Sequence, residues 1–322
     1  MDERISIDER RSADPGRASA AGASAAGNTA GGASAAAGIT AAGITAAGIT
    51  AAGVSSRRPG RLKAYARFLA AAFAANAKSA LEYRVNFLVQ FFGMVLNNAA
   101  FAAFWAVLIG RTGSVGGYGF SDVMFIWALV SSSFGLAHVL AGNVRSIGRI
   151  VMEGGLDVYL LQPKDAFVNL LASRTVVSAW GDLAYGFIVL ALLPGTDFGR
   201  VLLFCALMAP GAVIFAATFA AAESLTFFLG NAQAVSSALA EFMLSFSLYP
   251  EGVFGKNLRW LFYSLIPSGF VAFVPLRIYR AVDWALVPAL WGVAALYAAL
   301  AKTLFNAGLR RYESGNRMDA RV

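Results

Sequence analysis

Residues 146–165 read Ser-Ile-Gly-Arg-Ile-Val-Met-Glu-Gly-Gly-Leu-Asp-Val-Tyr-Leu-Leu-Gln-Pro-Lys-Asp and separate two long apolar runs. The stretch contains five side chains that are charged at neutral pH, which are Arg149, Glu153, Asp157, Lys164 and Asp165. Such a stretch cannot lie in hydrocarbon, because a charged side chain at the bilayer centre costs about 2.5–3.5 kcal/mol on the insertion scale. We therefore expect it to lie in water or against a protein, while the apolar runs on either side cross a membrane.

The composition of the whole chain is that of a membrane protein. Of its 322 residues, 58% are hydrophobic and only 14% are charged, whereas soluble domains contain about 25% charged residues. The single cysteine, Cys205, excludes an internal disulfide and a cysteine metal cluster. The net charge of +8 is explained by positive loops that face the cytoplasm, so we predict no nucleic-acid partner.

Two segments precede the first apolar run. Residues 1–56 are rich in Ala, Gly, Ser and Thr and repeat Ala-Ala-Gly-Ile-Thr three times between residues 36 and 50, which predicts a disordered low-complexity tail. Residues 57–84 are strongly basic, and Leu62, Tyr65, Leu69 and Phe73 recur at helical spacing. We interpret 57–84 as an amphipathic interfacial helix on an anionic leaflet, which places the amino end in the cytoplasm.

Residues 85–306 contain six apolar runs, counted against the roughly 20 residues that cross hydrocarbon. The predicted fold class is therefore an all-α integral membrane protein with about six transmembrane helices. The loop 143–166 between the second and third spans is predicted to be cytoplasmic, as is the tail 307–322. The predicted spans are about Val85–Ile109, Asp122–Gly142, Asn169–Leu193, Val201–Ala222, Val235–Tyr249 and Trp284–Phe305.

The interval 250–283 before the last span is harder to assign. Its apolar part, 261–276, is short and contains Pro267, Gly269 and Pro275. A re-entrant segment on the outer side fits this pattern better than a full span, although both remain open. Its basic flanks argue against an outer position under the positive-inside rule. They contain Lys256, Arg259, Arg277 and Arg280.

The sequence lacks the pattern of an ATP-hydrolysing chain. No Gly-x-x-x-x-Gly-Lys-Ser/Thr loop is present, so we expect no cofactor in this chain and expect any ATP and Mg²⁺ to be bound by a partner. The only histidine, His138, could in principle activate Ser132 or Ser268. This intramembrane hydrolase is the least favoured hypothesis, because no Gly-x-Ser-x-Gly turn is present.

Four polar residues within predicted spans are candidates for a pathway or a helix interface: Asn97, Asn98, Asp182 and Glu241. An ionisable group inside a span suggests function, and the alternative hypothesis is an ion-coupled secondary transporter that uses the two carboxylates. The structural interpretation is that each acid pairs with an arginine or an amide, for example Arg174 or Asn97, and locks helices together.

The loop 143–166 is the most informative part of the chain. Within Asn143–Met152 the apolar residues Val144, Ile147, Ile150 and Val151 lie on one helical face, and Gly154-Gly155 follows as a helix stop. Such a helix can dock in a groove of a soluble partner, with the apolar residues as anchors and the charges on Arg145 and Arg149 setting the register. A plain interfacial turn remains the alternative.

Four motifs resemble the permease subunits of ABC-2 type transporters, in the branch of poorly characterised bacterial permeases. They are Ile150-Val-Met-Glu-Gly-Gly-Leu-Asp-Val-Tyr-Leu-Leu-Gln-Pro163, Tyr249-Pro-Glu-Gly-Val-Phe254, Ile266-Pro-Ser-Gly-Phe-Val-Ala-Phe-Val-Pro275 and Leu309-Arg-Arg-Tyr-Glu-Ser-Gly-Asn316. The resemblance covers about residues 62–317. Each motif alone is weak, and their combination is fairly specific.

The resemblance implies six spans, an interfacial helix, an outer re-entrant segment and a cytoplasmic coupling helix. It implies an exporter in the bacterial cytoplasmic membrane with both chain ends inside. The implied partners are a separate dimeric ABC ATPase and a second permease, which is either another copy of this chain or a related one. By position, the coupling role falls on Ile147, Arg149, Ile150, Glu153, Gly154, Leu156 and Asp157.

Overall fold

A computed structural model describes residues 61–312 of the chain. Within this range the secondary structure is helical, and no strand is formed beyond one isolated bridge between Val115 and Tyr118. The predicted tail 1–56, residues 57–60 of the predicted interfacial helix and residues 313–322 of the predicted carboxyl tail lie outside the described residues.

The long helices are joined by short helices and turns. In chain order the α-helices are α1 Arg61–Glu82, α2 Arg84–Thr112, α3 Phe120–Leu140, α4 Ile147–Met152, α5 Asp157–Leu160, α6 Ala166–Ala172, α7 Ala179–Leu192, α8 Phe198–Ser224, α9 Thr226–Leu229, α10 Gln233–Leu248, α11 Val274–Ala281 and α12 Val287–Leu309. Short 3₁₀ helices cover Val144–Ser146, Glu251–Val253, Lys256–Tyr263 and Trp284–Leu286, and a π-helix covers Gly269–Phe273.

Four helical segments in the described part of the chain are long and apolar enough to cross a membrane. They are α2, α3, Phe198–Leu229 and Trp284–Leu309, and they confirm an all-α membrane protein. The predicted third span is interrupted between α6 and α7, and the fifth, α10, has only 16 residues. The count of six spans therefore stays a prediction.

The interruption between α6 and α7 has a physical reason. The intervening backbone binds the end of α3, because the Val176 N–H donates to the His138 carbonyl and the Arg174 carbonyl accepts from Gly142. These bonds satisfy groups that a continuous helix would otherwise pair within itself. Sequence hydropathy records only the apolar character of this region and not its backbone partners.

Helix α3 lies at the centre of the bundle, with α7 on one side and α8 on the other. Helix α2 packs outside α7, and α12 packs outside α8. Glycines make the α3–α7 contact close, since a Cβ on Gly135 would lie 2.6 Å from the Leu183 nitrogen. Most of α3 is buried within this chain, whereas only a small share of α2 and α12 is buried.

The interval 250–283 lies at the end of the bundle where α3 begins. The Arg280 side chain pairs with Asp122 in the first turn of α3, and Glu251 pairs with Arg277 at 3.5 Å. These acids compensate the basic flanks that argued against an outer position. The longest helical stretch in this interval is the π-helix Gly269–Phe273 continued directly by α11, which is too short for a full span, and Phe262 and Phe273 are buried.

Candidate coupling site and interior polar residues

The predicted coupling segment presents two different faces. Val144, Ile147 and Leu156 have no exposed surface and Val151 is almost completely covered, so the apolar face packs against the spans of the same chain. The opposite face exposes Arg149 and Glu153, whose side chains form an ion pair at 2.9 Å. The segment is therefore a charged projection that is fixed to the membrane bundle beneath it.

This arrangement corrects the predicted docking face. Val144, Ile147, Ile150 and Val151 were expected to anchor a partner, but Val144, Ile147 and Val151 are buried within this chain, as is Leu156. Ile150 and Gly154 are half-buried. The physical reason is that an apolar face close to an apolar bundle of the same chain can be covered without the entropy loss of association. Periodicity predicts an amphipathic helix but does not tell which surface covers its apolar face.

A buried carboxylate holds α4 against the bundle. The Gly148 N–H donates to Glu223 Oε2 at 3.0 Å, and Ser236 Oγ donates to Glu223 Oε1 at 2.7 Å. Gly148 is required for this approach, because a Cβ there would lie 2.6 Å from Thr226 Oγ1. The sequence analysis did not single out Glu223, Ser236 or Gly148. An acid at the end of an apolar run, on the side predicted to be cytoplasmic, was the one available signal.

The rest of the loop is fixed to α1 and α12. The Asp165 N–H donates to the Tyr65 hydroxyl of α1 at 3.1 Å, and its carboxylate accepts from Lys302 of α12 at 2.6 Å. Partial burial acts to raise the pKa of Asp165, but the Lys302 ammonium and the Val168 N–H outweigh it, so that this pKa lies below its ordinary value. The ionised Asp165 therefore ties α12 to the start of α6.

The far end of the coupling segment lies beside the carboxyl end of α12. Burial and the nearby Asp157 carboxylate raise the pKa of the Tyr312 hydroxyl. Upstream, Asn143 Nδ2 donates to Ser173 Oγ at 2.7 Å and so joins the end of α3 to the α6–α7 connection. Loop 143–166 is thus in contact with several helices rather than projecting alone.

Asp182 forms a polar contact among three helices. Asn98 Nδ2 of α2 donates to Asp182 Oδ1 of α7 at 2.7 Å, and Ser131 Oγ of α3 donates to the same oxygen at 3.2 Å. Both partners and Asp182 itself are buried. The amide that meets Asp182 is Asn98, whereas the sequence analysis offered Asn97 or Arg174. This geometry supports the structural interpretation, in which the polar residues lock helices together.

The other predicted polar residues do not join this contact. Asn97 lies on the exposed side of α2, where Nδ2 is 3.9 Å from the Met94 sulfur, and Glu241 is exposed on α10. The candidate hydrolase residues are also engaged separately, because His138 Nδ1 hydrogen-bonds with the Phe134 carbonyl and Ser132 Oγ donates to the Leu183 carbonyl.

The role of Asp182 can be tested by replacing it with asparagine and with alanine. We expect Asp182→Asn to retain stability and activity, because asparagine keeps the oxygen that accepts from Asn98. Asp182→Ala removes the acceptor and is expected to lower the free energy of unfolding by about 1–2 kcal/mol. The measurement is SDS-induced unfolding of the detergent-purified protein, with Asn97→Ala as the exposed control. A stable Asp182→Asn protein without transport activity would instead indicate that an ionisable group is required.

Comparison with known proteins assigns the sequence to a family. Residues 95–315 match the sequence profile of the family described as ABC-2 family transporter protein. The match begins within α2 and includes the loop 143–166, Glu223, the interval 250–283 and α12. No curated protein and no solved structure matches the chain. Since the matched region covers more than half of the sequence and its apolar helices are those of a multi-pass membrane protein, the chain belongs to the ABC-2 transporter family.

Proposed function

We propose that this chain is the membrane-spanning permease subunit of an ATP-driven exporter, coupled to a separate dimeric ABC ATPase through its loop 143–166. Membership of the ABC-2 family makes it a permease component of an ABC transporter and implies partnership with an ABC ATPase. The observation that carries the coupling proposal is the two-faced α4, whose apolar side is buried on the spans and whose Arg149 and Glu153 are exposed.

This arrangement suits transmission of force. Closure of an ATPase dimer that contacts the exposed face of α4 would displace a segment that cannot move without the helices beneath it. Close-packed interfaces change between discrete arrangements rather than deforming continuously. Nucleotide would therefore bias a two-state equilibrium of the bundle by binding one arrangement more tightly than the other.

The proposed partners follow from what this chain lacks and what it exposes. The sequence contains no phosphate-binding loop, so ATP and Mg²⁺ would be held by the ATPase. The exposed apolar residues of α2 and α12 would be covered by lipid and by a second permease, either this chain again or a related one. In the proposed topology the protein lies in a bacterial cytoplasmic membrane, with loop 143–166 and both chain ends inside.

Purification of the complex tests the energy source. We expect the tagged chain, extracted from its native membrane, to co-purify with a protein that carries a Walker A loop. After reconstitution of this complex into proteoliposomes that contain a protonophore, we expect it to hydrolyse ATP. The competing ion-coupled carrier predicts a different result. In that case the chain alone, reconstituted without an ATPase, would allow proton entry that a pH-sensitive dye inside the vesicle detects, and the proposed function would be wrong.

Cysteine labelling tests the orientation. In a Cys205→Ala background, Arg149→Cys marks the coupling segment and Arg277→Cys marks the opposite end of the bundle. Both positions have half or more of their side chain exposed. We expect a membrane-impermeant maleimide to label residue 277 on intact cells and residue 149 only in opened membranes. Labelling of residue 149 on intact cells would contradict the proposed function.

A further inference from the structure

We propose that Glu223 is the positioning residue through which α4 moves α8 and α10 together. The inference rests on the proposed function, since it names the route by which displacement of the coupling segment enters the bundle. Glu223 is almost completely buried at the inner end of α8. Each of its carboxylate oxygens accepts a hydrogen bond from another element of this chain.

The two oxygens of the Glu223 carboxylate bind different elements. Oε2 accepts from the backbone N–H of Gly148 in α4, and Oε1 accepts from the Ser236 hydroxyl in the first turn of α10. Hydrogen bonds to an ionised carboxylate are roughly twice as strong as neutral ones. One side chain of α8 thus holds the coupling segment on one side and the start of α10 on the other.

The contact with α4 is close and leaves little freedom for independent motion. A Cβ on Gly148 would lie 2.9 Å from Glu223 Oε2 and still closer to Thr226 Oγ1. Below α4, the short helix α9 and the inner end of α8 form the packed surface. A displacement of α4 therefore pushes directly on Glu223 and on the segment that follows it.

Helix α10 is the second element that Glu223 holds. Its outward side exposes Val235 and Phe242, each about half accessible, so it is covered by the rest of the chain on one side. Ser236 lies in the first turn of α10, and its hydroxyl donates a hydrogen bond to Glu223 Oε1. Helix α10 also packs against α8 and α3 along its buried side, and the Ser236–Glu223 hydrogen bond adds a fixed polar contact at its first turn.

The test measures motion of α10 in the complete complex with its ATPase. Spin labels at Ile188→Cys on α7 and Phe242→Cys on α10, in a Cys205→Ala background, report the distance between these exposed positions before and after addition of ATP with vanadate. We expect a nucleotide-dependent change of this distance in otherwise unmodified protein. Glu223→Ala and Ser236→Ala should lose most of the change while ATPase binding and ATP hydrolysis continue.

Two further variants separate positioning from general stability. Glu223→Gln should restore part of the change, because its amide offers an oxygen to the Gly148 N–H and an N–H to Ser236 Oγ. Ser237→Ala is the matched control, since the neighbouring hydroxyl is not part of the Glu223 contact, and it should behave as unmodified protein. If Glu223→Ala does not fold, the test is decided by comparing the nucleotide-dependent distance change in Ser236→Ala with that in Ser237→Ala.

The outcomes distinguish this inference from the proposed function. A full distance change in Ser236→Ala and in the Glu223 variants that fold would overturn the role of Glu223 and leave the proposed function intact. Failure of the unmodified chain to bind an ATPase would overturn both proposals, whereas a distance that nucleotide does not alter in the unmodified complex would overturn only the role of Glu223.

Discussion

Gly186→Ala is expected to destabilise the folded protein by about 3 kcal/mol, at the upper end of the usual cost of inserting a methyl group into a packed interior. Gly186 lies where α7 crosses α3. A Cβ at this position would collide with Ser132 Oγ and with the backbone carbonyl of Ala128. The serine can rotate, but the carbonyl belongs to the α3 backbone, so the two helices must separate.

The expected loss is large because α3 is the centre of the bundle. Separation of α7 from α3 would also disturb the hydrogen bonds of Asp182, which join α2, α3 and α7. The measurement is the free energy of unfolding in mixed micelles, together with the yield of monodisperse protein from the membrane.

Gly93→Ala provides the matched control. Gly93 lies in α2, and a Cβ there would meet no atom of this chain within 4 Å. Alanine is favoured over glycine in a helix interior by about 1 kcal/mol, so this change should be neutral or slightly stabilising. Equal stability of the Gly186 and Gly93 variants would show that the α3–α7 contact is looser than described.

The second large effect is expected from exchanging the charges on the exposed face of α4. The double substitution Arg149→Glu with Glu153→Arg should weaken binding of the ATPase roughly a hundredfold, about 2.7 kcal/mol, because each charge then meets a partner surface complementary to the opposite sign. The exchange retains an oppositely charged pair four residues apart and leaves the buried Ile147 unchanged. The fold of the permease should therefore be retained.

Binding is best measured with the purified permease in nanodiscs and the isolated ATPase. Arg111→Glu is the control, since Arg111 is exposed in the last turn of α2 at the opposite end of the bundle and should leave ATPase binding unaltered. The charge exchange is preferred to the double substitution Ile147→Asp and Ile150→Asp, which would be the obvious test of apolar anchors. In the structure, a charge at residue 147 would be buried and would damage the fold itself. Undiminished binding by the exchanged variant would show that the ATPase docks elsewhere.

Hydropathy predicted the positions of those helices that are apolar along their whole length. Helices α2, α3 and α12 begin and end within a few residues of the predicted spans, and α8 contains the fourth. Each is a long apolar run, and a bilayer selects for that property regardless of which neighbours a helix has. The predicted third span failed as a continuous helix because residues 173–178 find backbone partners at the end of α3, and such partners leave no periodic signal.

The candidate site was predicted in outline and corrected in detail. Charge and periodicity predicted a charged helical segment in loop 143–166, and Arg149 and Glu153 are exposed there, while its coupling role stays a prediction. They could not show that Ile147 faces inward or that Asp182 meets Asn98 rather than Asn97, because adjacent positions on one helix differ only in the direction of the side chain. Glu223 was missed because its partners are a backbone N–H 75 residues away and a serine in α10.

The amino-acid sequence by itself determined that this protein is helical, lies in a membrane and carries one strongly charged loop between apolar runs, because these properties depend on composition and on the cost of placing charge in hydrocarbon. Only the tertiary structure decided which face of that loop is free and which carboxylate holds it to the bundle. Those outcomes depend on distances between residues far apart in the chain, and such distances are set by the packing of α3, α7 and α8.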